Sequence, residues 1–390
     1  MKLLSLCDPT QYKRPPLDVP AFYQKLASDK RVTFYHMPAP DVTAVGELLP
    51  DVRAIATPNS LTYNEFVTLG NSTSQTLSLE DIDLVFCRTL KPYAPTYLNK
   101  LSQWENFTQF VNSPSSKQRQ MAANFLLSIA ESYMPETIVT ARCDEAHQFF
   151  EQHQVIVAKT ENSTGGRGVF KIYYENGQYC VDNILTGIGT FANFSKVMGF
   201  LQSDCVSGSC EAIQFSRYLP NTLAGDKRVV VVDGEIYGSY LRKSKSGHWV
   251  NNVSADGTCT LADISANERE AIAQTVGHYQ QMGLHTLGYD FLMDDDGTWR
   301  ISEINAGNIG GFARLEQLTG EPVMNRLIDW LLAFANAHRS IQNSVQRSVN
   351  DAPETAAKAA PKAPPKAPPE KTLTSREFSE DSHLAYAYSR

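Results

Sequence analysis

The stretch LGYDFLMDDDGTWRISEINAGNIGG, residues 287–311, decides how this chain is read. Two apolar runs flank an acidic turn that ends in glycine, a pattern that predicts an antiparallel hairpin. Along the second run Glu303 and Asn305 share one strand face, and pairing brings Asp290 of the first run beside them. Three oxygen-bearing side chains then converge without Cys or His, a donor set suited to magnesium that also binds nucleotide phosphates. The glycines that follow leave room for a ligand against the backbone. Asp294, Asp295 and Asp296 read instead as a solvated turn.

Upstream lies a second hairpin, GDKRVVVVDGEIYGSYLRK (225–243), with a D-G turn between its strands. Asp226, Lys227 and Arg228 stand at the start of its first strand and Arg242 near the end of its second. Arginine presents a planar fork that matches carboxylate and phosphate, which a transferring phosphoryl group requires. Further upstream, Lys159 closes the strand VIVAK just ahead of ENSTGGRGVFKIYY (161–174). An ammonium there can reach phosphate oxygens as a point charge. Gly165, Gly166 and Gly168 would let backbone N–H groups fold over a triphosphate; a plain turn is the competing reading. This loop joins two strands, and the chain has no G-x-x-x-x-G-K-[ST] string, so a Walker phosphate loop is excluded.

The rest of the chain frames these hairpins. KLLSLC (2–7) and DLVFC (83–87), with the helical AFYQKLASD between them, predict an open α/β unit ending near residue 113. One helix is expected from the Ser/Pro turn at 113–114 up to Pro135, then a strand at TIVT and a helix over DEAHQFFEQH. NEREAIAQTVGHYQQMG predicts another helix, and a last amphipathic one ends near His338. The proline-rich PETAAKAAPKAPPKAPPEK predicts an extended spacer. The closing TLTSREFSEDSHLAYAYSR reads as a disordered end or as a short peptide that docks on a protein partner.

With 390 residues, 42% of them apolar, and a net charge of -7, the chain can bury a sizeable core in two or three domains. No basic block lies outside the C-terminal tail, which argues against nucleic acid as a partner. No run of 18 apolar residues and no signal-peptide core are found, so no membrane span is expected and a cytoplasmic location is. Seven scattered cysteines with no C-x-x-C pair fit reduced thiols; Cys205 and Cys210 read as two thiols in a loop.

The order PETIVT (135–140), VIVAK with its glycine loop, YLP (218–220), GDKRVVVVDGE, then Asp290 and E-x-N resembles the ATP-grasp superfamily, and within it bacterial glutathione synthetase. CRTLKP at 87–92 falls in the same order, and the likeness spans about residues 1 to 340. The resemblance implies an α/β (α+β) ATP-grasp fold: an N-terminal open α/β domain over 1–113, a lid subdomain over 114–198, a catalytic subdomain over 199–340, and a linker and tail over 341–390. ATP would lie between two antiparallel sheets with Mg2+. The implied enzyme is an ADP-forming carboxylate–amine ligase that makes an amide through an acyl phosphate.

Carried over onto this chain, the resemblance gives Lys159, Gly165, Gly166 and Gly168 to the ATP phosphates, Tyr218 and Leu219 to the adenine slot and Asp226 to the ribose. It gives Arg228, Arg242 and Asn252 to the acyl phosphate, Asp290, Glu303 and Asn305 to magnesium, and Arg88 to the peptide substrate. It also implies amino acid or peptide substrates and a homo-oligomer. Ala123 stands where the family's N-E-K-L motif has lysine, with Lys117 available only by a shifted path; Val250 stands where its R-G-N motif has arginine. Ser216 and Arg217 precede Tyr218 where an amide or acidic residue is expected. These departures keep two other readings beside glutathione synthesis: a diverged ligase that modifies a ribosomal or other small peptide, and a nucleotide-binding sensor or scaffold without chemistry.

Overall fold

The computed structural model describes residues 1–12, 18–44, 50–160, 166–203, 212–244, 249–251 and 257–350. Six strands build the first sheet: β1 (Lys2–Cys7), β2 (Thr33–Pro38), β3 (Asp51–Ala56), β4 (Gln75–Ser78), β5 (Leu84–Cys87) and β6 (Phe110–Val111). Their order is β4-β3-β2-β1-β5-β6; β2, β1, β5 and β6 run parallel, and β3 runs antiparallel to both its neighbours, β2 and β4. β1 reads as a continuous apolar run because both faces are covered. Leu3 packs with Phe22 and Tyr23 of the helix Asp18–Ser28, while Leu4 and Leu6 face Tyr97, Leu101 and Trp104 of the helix Tyr97–Trp104.

The second sheet is antiparallel and holds β7 (Thr137–Thr140), β8 (Val155–Lys159), β9 (Val169–Glu175), β10 (Gln178–Asn183), β11 (Gly187–Phe191) and β12 (Ile213–Arg217), in the order β11-β10-β9-β8-β12-β7. β8 and β9 alternate cleanly. Ile156 and Ala158 turn to a core with Phe149, Phe150, Val197 and Leu201 of the helices Cys143–His153 and Phe194–Ser203. Val157 and Lys159 point the other way.

The third sheet, also antiparallel, comprises β13 (Asp226–Val232), β14 (Glu235–Lys243), β15 (Thr258–Leu261), β16 (Thr286–Met293) and β17 (Trp299–Asn305), in the order β15-β14-β13-β16-β17. The D-G turn between β13 and β14 has positive φ at both residues, 49° at Asp233 and 84° at Gly234, as a tight hairpin of this hand requires. Val229 and Val231 pack with Ala271, Ile272 and Tyr279 of the helix Ala266–Gln281 on one face of β13. Asp226 and Arg228 alternate onto the other.

Two expectations about helices differ. The segment after residue 113 is not one helix: Pro114–Gln120 and Phe125–Ala130 are separate, and Met121, Ala122 and Ala123 between them line a cleft. No Gly or Pro marks that break, so the sequence carries no local signal for it. The last amphipathic stretch is also two helices, Phe312–Thr319 and Val323–Asn350. Here the signal existed: Gly320 takes φ 75° as a left-handed cap and Pro322 follows it. The chain divides into Met1–Ser340 and Ile341–Arg390, and the proline-rich segment and the tail lie outside the described residues. Among the described residues no helix is long and apolar enough to cross a membrane, and Cys7, Cys87, Cys143, Cys180 and Cys259 are free thiols.

Candidate active site

Between the second and third sheets runs a cleft with a cavity of about 460 Å³. On the third sheet, cross-strand register assembles its floor. Asp226 stands opposite Arg242, Arg228 opposite Asp290, and Asp290 opposite Glu303, with Asn305 opposite Gly288. At Gly288 a Cβ would come within 3.1 Å of Arg228 NH1, so a side chain there would push on the guanidinium. Its bare backbone lets the guanidinium lie across β16.

The charges on this floor are interlocked. Arg228 donates from Nε and NH2 to the two oxygens of Asp290, at 2.5 and 2.8 Å. Arg242 NH2 donates to Asp226 at 2.6 Å and to Asp290 at 2.7 Å, while its buried Nε has no partner among the described residues. Burial alone would raise the Asp290 pKa, but the Arg228 and Arg242 charges outweigh it and hold the carboxyl below its usual range. For Asp226 burial wins over the pull of Arg242, with the Asp290 charge adding to it, and the pKa is pushed up to about 6.

A bulge in the β16–β17 pairing falls beside Asp290, so that Glu303 pairs with Asp290 and Ile301 with Phe291. The extra residue, Ser302, turns with Glu303 toward the cleft, as bulges near functional sites do. From β8 on the opposite wall, Lys159 Nζ donates to Ser302 O at 2.6 Å and meets Ser302 Oγ at 3.0 Å. Burial lowers the Lys159 pKa against the opposing charges of Glu303, Asp290 and Asp226. No hydrogen bond or ion pair reaches the Glu303 carboxylate among the described residues, whereas Asn305 Nδ2 donates to Asp290 at 3.2 Å.

Most of the residues singled out from sequence meet here. Lys159, Gly166, Gly168, Tyr218, Leu219, Asp226, Arg228, Arg242, Asp290, Glu303 and Asn305 all line the cleft. Gly165 and Asn252 lie outside the described residues. Asp226, linked by the resemblance to the ribose, is part of the ion cluster. Lys227 alternates to the back of β13 and pairs with Glu268 at 2.8 Å. Arg88 stands apart from the cleft lining: only 1% exposed, it donates from NH2 to Ile309 O at 2.6 Å and sits over the rings of Phe22 and Phe86.

The acidic turn needs a correction. Asp295 and Asp296 are exposed, but Asp294 is buried and takes both Arg217 NH2 contacts at 2.9 Å and Arg300 Nε at 3.2 Å. Arg217 comes from β12, so this bridge ties the second sheet to the β16–β17 turn, a pairing no local pattern announces. Sequence reasoning also missed Ser302, Gln120, Trp249 and Asn183. Asn183 Nδ2 donates to the carbonyls of Gly166, Arg167 and Val169 at 3.3, 2.8 and 3.0 Å and pins the end of the glycine loop. Trp249 Nε1 donates to Asp182 at 2.7 Å, and its ring stands edge-on to Tyr218 at 6.3 Å.

As a metal centre the floor is narrower than the sequence suggested. Among the described residues no three of His, Cys, Asp and Glu stand together as ligands. Asp290 is committed to two arginines, which leaves Glu303 and the Asn305 carbonyl oxygen as the uncommitted hard donors.

Comparison with known proteins places this architecture. The chain is 26% identical over 260 residues to glutathione synthetase of Nostoc sp. (strain PCC 7120 / SAG 25.82 / UTEX 2576), covering 65% of this chain and 72% of the relative. It is 24% identical over 340 residues to that of Prochlorococcus marinus (strain MIT 9313), covering 85% and 99%. Among solved structures, D-cycloserine synthetase DcsG superposes with a TM-score of 0.55 at 12% identity, over 86% of this chain and 99% of that one. The ATP-grasp ligase PsnB complexed with a minimal precursor gives 0.52 at 15% identity, over 85% and 97%. These likenesses establish the fold. Residues 124–320, just over half of the chain, match the model of the prokaryotic glutathione synthetase ATP-grasp domain, and the chain belongs to that family.

Proposed function

We propose that the cleft joins the carboxylate of a small γ-glutamyl-type peptide to the amine of an amino acid. By family the chain is an ATP-dependent, ADP-forming carboxylate–amine ligase. The substrate class follows the glutathione synthetase relatives, and the chemistry of phosphoryl transfer is supported by the arrangement of charge. Arg228 is buried and Arg242 largely so; both are held in place by Asp290 and Asp226 and line the same cavity as Lys159 and the unbonded Glu303. Donors fixed in advance stabilise developing charge without reorganising at the moment of reaction.

In the first step a carboxylate oxygen of the acid attacks the γ-phosphorus of ATP, and the bond to the ADP oxygen breaks. Lys159 neutralises phosphate oxygens, and Arg228 and Arg242 hold the acyl phosphate. In the second step the amine nitrogen attacks the acyl carbon, the bond to phosphate breaks, and phosphate departs while the nitrogen loses a proton. Glu303 and Asn305, with Asp290 behind them, would hold magnesium, which supplies charge neutralisation for the nucleotide phosphates. Tyr218 and Leu219 offer an aromatic and an apolar surface to the adenine.

Incubation with Mg2+, ATP, γ-glutamylcysteine and glycine tests the reading. ADP and phosphate release that depends on all three organic substrates is expected. Absence of turnover with this set, alongside turnover with another acid and amine, would overturn the substrate assignment.

A further inference from the structure

One pair of cations in the cleft is not used by that mechanism. Lys117, in the helix Pro114–Gln120, is only 4% exposed. Its ammonium carries three protons. Among the described residues a single hydrogen bond accounts for them, to Gln120 Oε1 at 2.6 Å. Lys91, on the loop after β5, makes no hydrogen bond or ion pair among the described residues. Both line the main cleft, and Lys117 also borders a side cavity of about 20 Å³ with Cys87, Tyr93, Gly307 and Asn308.

Burying a cation without a counter-charge is costly, so buried ammonium groups are normally paired. Here burial, and then the like charge of Lys91, push the Lys117 pKa well below its ordinary value, while Glu303 pulls it back. Beside it the backbone of Gly307 packs closely, with no room for a side chain of its own. At Gly307 a Cβ would lie 3.0 Å from the Tyr93 hydroxyl and 3.4 Å from Lys117 Cε. The position is also distinct from that of Lys159, which is bonded to Ser302 inside β17, whereas Lys117 lies against Gly307 beyond the end of that strand.

We propose that Lys117 and Lys91 form a second oxyanion site at the Gly307–Asn308 end of the cleft, which takes either a carboxylate of the acid substrate other than the one activated or a phosphate oxygen of the nucleotide. Two ammonium groups converging on one cavity match a single oxyanion, whose oxygens accept the unspent protons and supply the missing counter-charge. The pair rests on the ligase reading for its role in catalysis, but its binding does not require turnover.

Isothermal titration of the full chain with two probes tests it. The first is the non-hydrolysable ATP analogue AMPPNP with Mg2+. The second is glutarate, a dicarboxylate chosen so that the outcome does not depend on γ-glutamylcysteine being the substrate. K117Q should weaken at least one probe by roughly tenfold or more, K91Q should weaken the same probe by less, and K117R should retain most of the affinity. Loss confined to AMPPNP assigns the site to phosphate, and loss confined to glutarate assigns it to a carboxylate. Binding of AMPPNP within about twofold of the unaltered chain in both K117Q and K91Q, with glutarate binding equally unchanged or undetected throughout, overturns the proposal. Should K117Q fail to fold, K91Q decides by the same criterion. Failure of the ligase reading would show itself separately, as absent ADP release in the turnover assay.

Discussion

β13 presents buried charge on both of its faces, and the two faces are built differently. At the back, Lys227 spends its ammonium on Glu268 at 2.8 Å, on Asp263 O at 2.9 Å and on the ring of Trp299 at 4.0 Å. Glu268 in turn caps the helix Ala266–Gln281 through Ser265. At the front, Arg228 and Arg242 grip Asp290 and Asp226, yet the Arg242 Nε stays without a partner and Glu303 accepts nothing among the described residues. Burial and charge are common to both faces. An unpartnered atom is common to both as well, since Glu268 Oε1 at the back has no partner among the described residues; what marks the front as the site is that Arg228, Arg242, Asp290 and Glu303 line a cavity, which Lys227 and Glu268 do not.

Breaking the back face should cost stability and little else. Lys227→Met leaves Glu268, which is 0% exposed, as an uncompensated buried charge, and removing one partner of such a pair costs about 3–5 kcal/mol. Denaturant unfolding should show that loss, while ADP release per folded molecule stays near the unaltered value. Breaking the front should do the reverse. Arg242→Gln removes a donor aimed at developing charge, for a loss of roughly 10²–10³-fold in kcat. Its melting temperature should fall less than that of Lys227→Met, because Asp226, already pushed up to about 6, can take a proton when its partner goes. An Arg242→Gln variant that melts early yet turns over normally, or a Lys227→Met variant that keeps its stability but loses turnover, would reverse the assignment of the two faces.

The smallest effect is a pH dependence. In the folded chain Asp226 releases its proton near 6, against about 4 when unfolded. Between those values the folded chain binds the extra proton, so this group's stabilisation is complete below the lower value and is lost as pH rises through the upper one. The melting temperature of the unaltered chain minus that of Asp226→Asn should therefore decline from about pH 4 to about pH 6 and level off above. A rise over that window would mean that Arg242 outweighs burial.

Much of this was legible in sequence wherever the physics was local. Alternation and D-G chemistry set out the β13–β14 and β16–β17 hairpins, and with them the shared face of Asp290, Glu303 and Asn305. The glycine loop joins two strands because β-branched and aromatic residues lie on both sides of it. The rest depended on partners distant along the chain. Asp294 looked like a solvated turn residue because Arg217 reaches it from another sheet. The resemblance gave Arg88 to the peptide substrate, and nothing in CRTLKP reveals its surroundings, the rings of Phe22 and Phe86 and the Ile309 carbonyl. Alternation placed Asp290 correctly but could not show that two arginines occupy its oxygens, nor that a bulge turns Ser302 into the cleft.

Magnesium titration of ATP turnover in the unaltered chain and in Glu303→Gln tests the open front face most directly. Because that carboxylate bonds nothing among the described residues, the variant should keep its melting temperature while ADP release falls by roughly 10²-fold or more and the Mg2+ requirement shifts to higher concentration. Unchanged ADP release with an unchanged Mg2+ requirement would contradict the account.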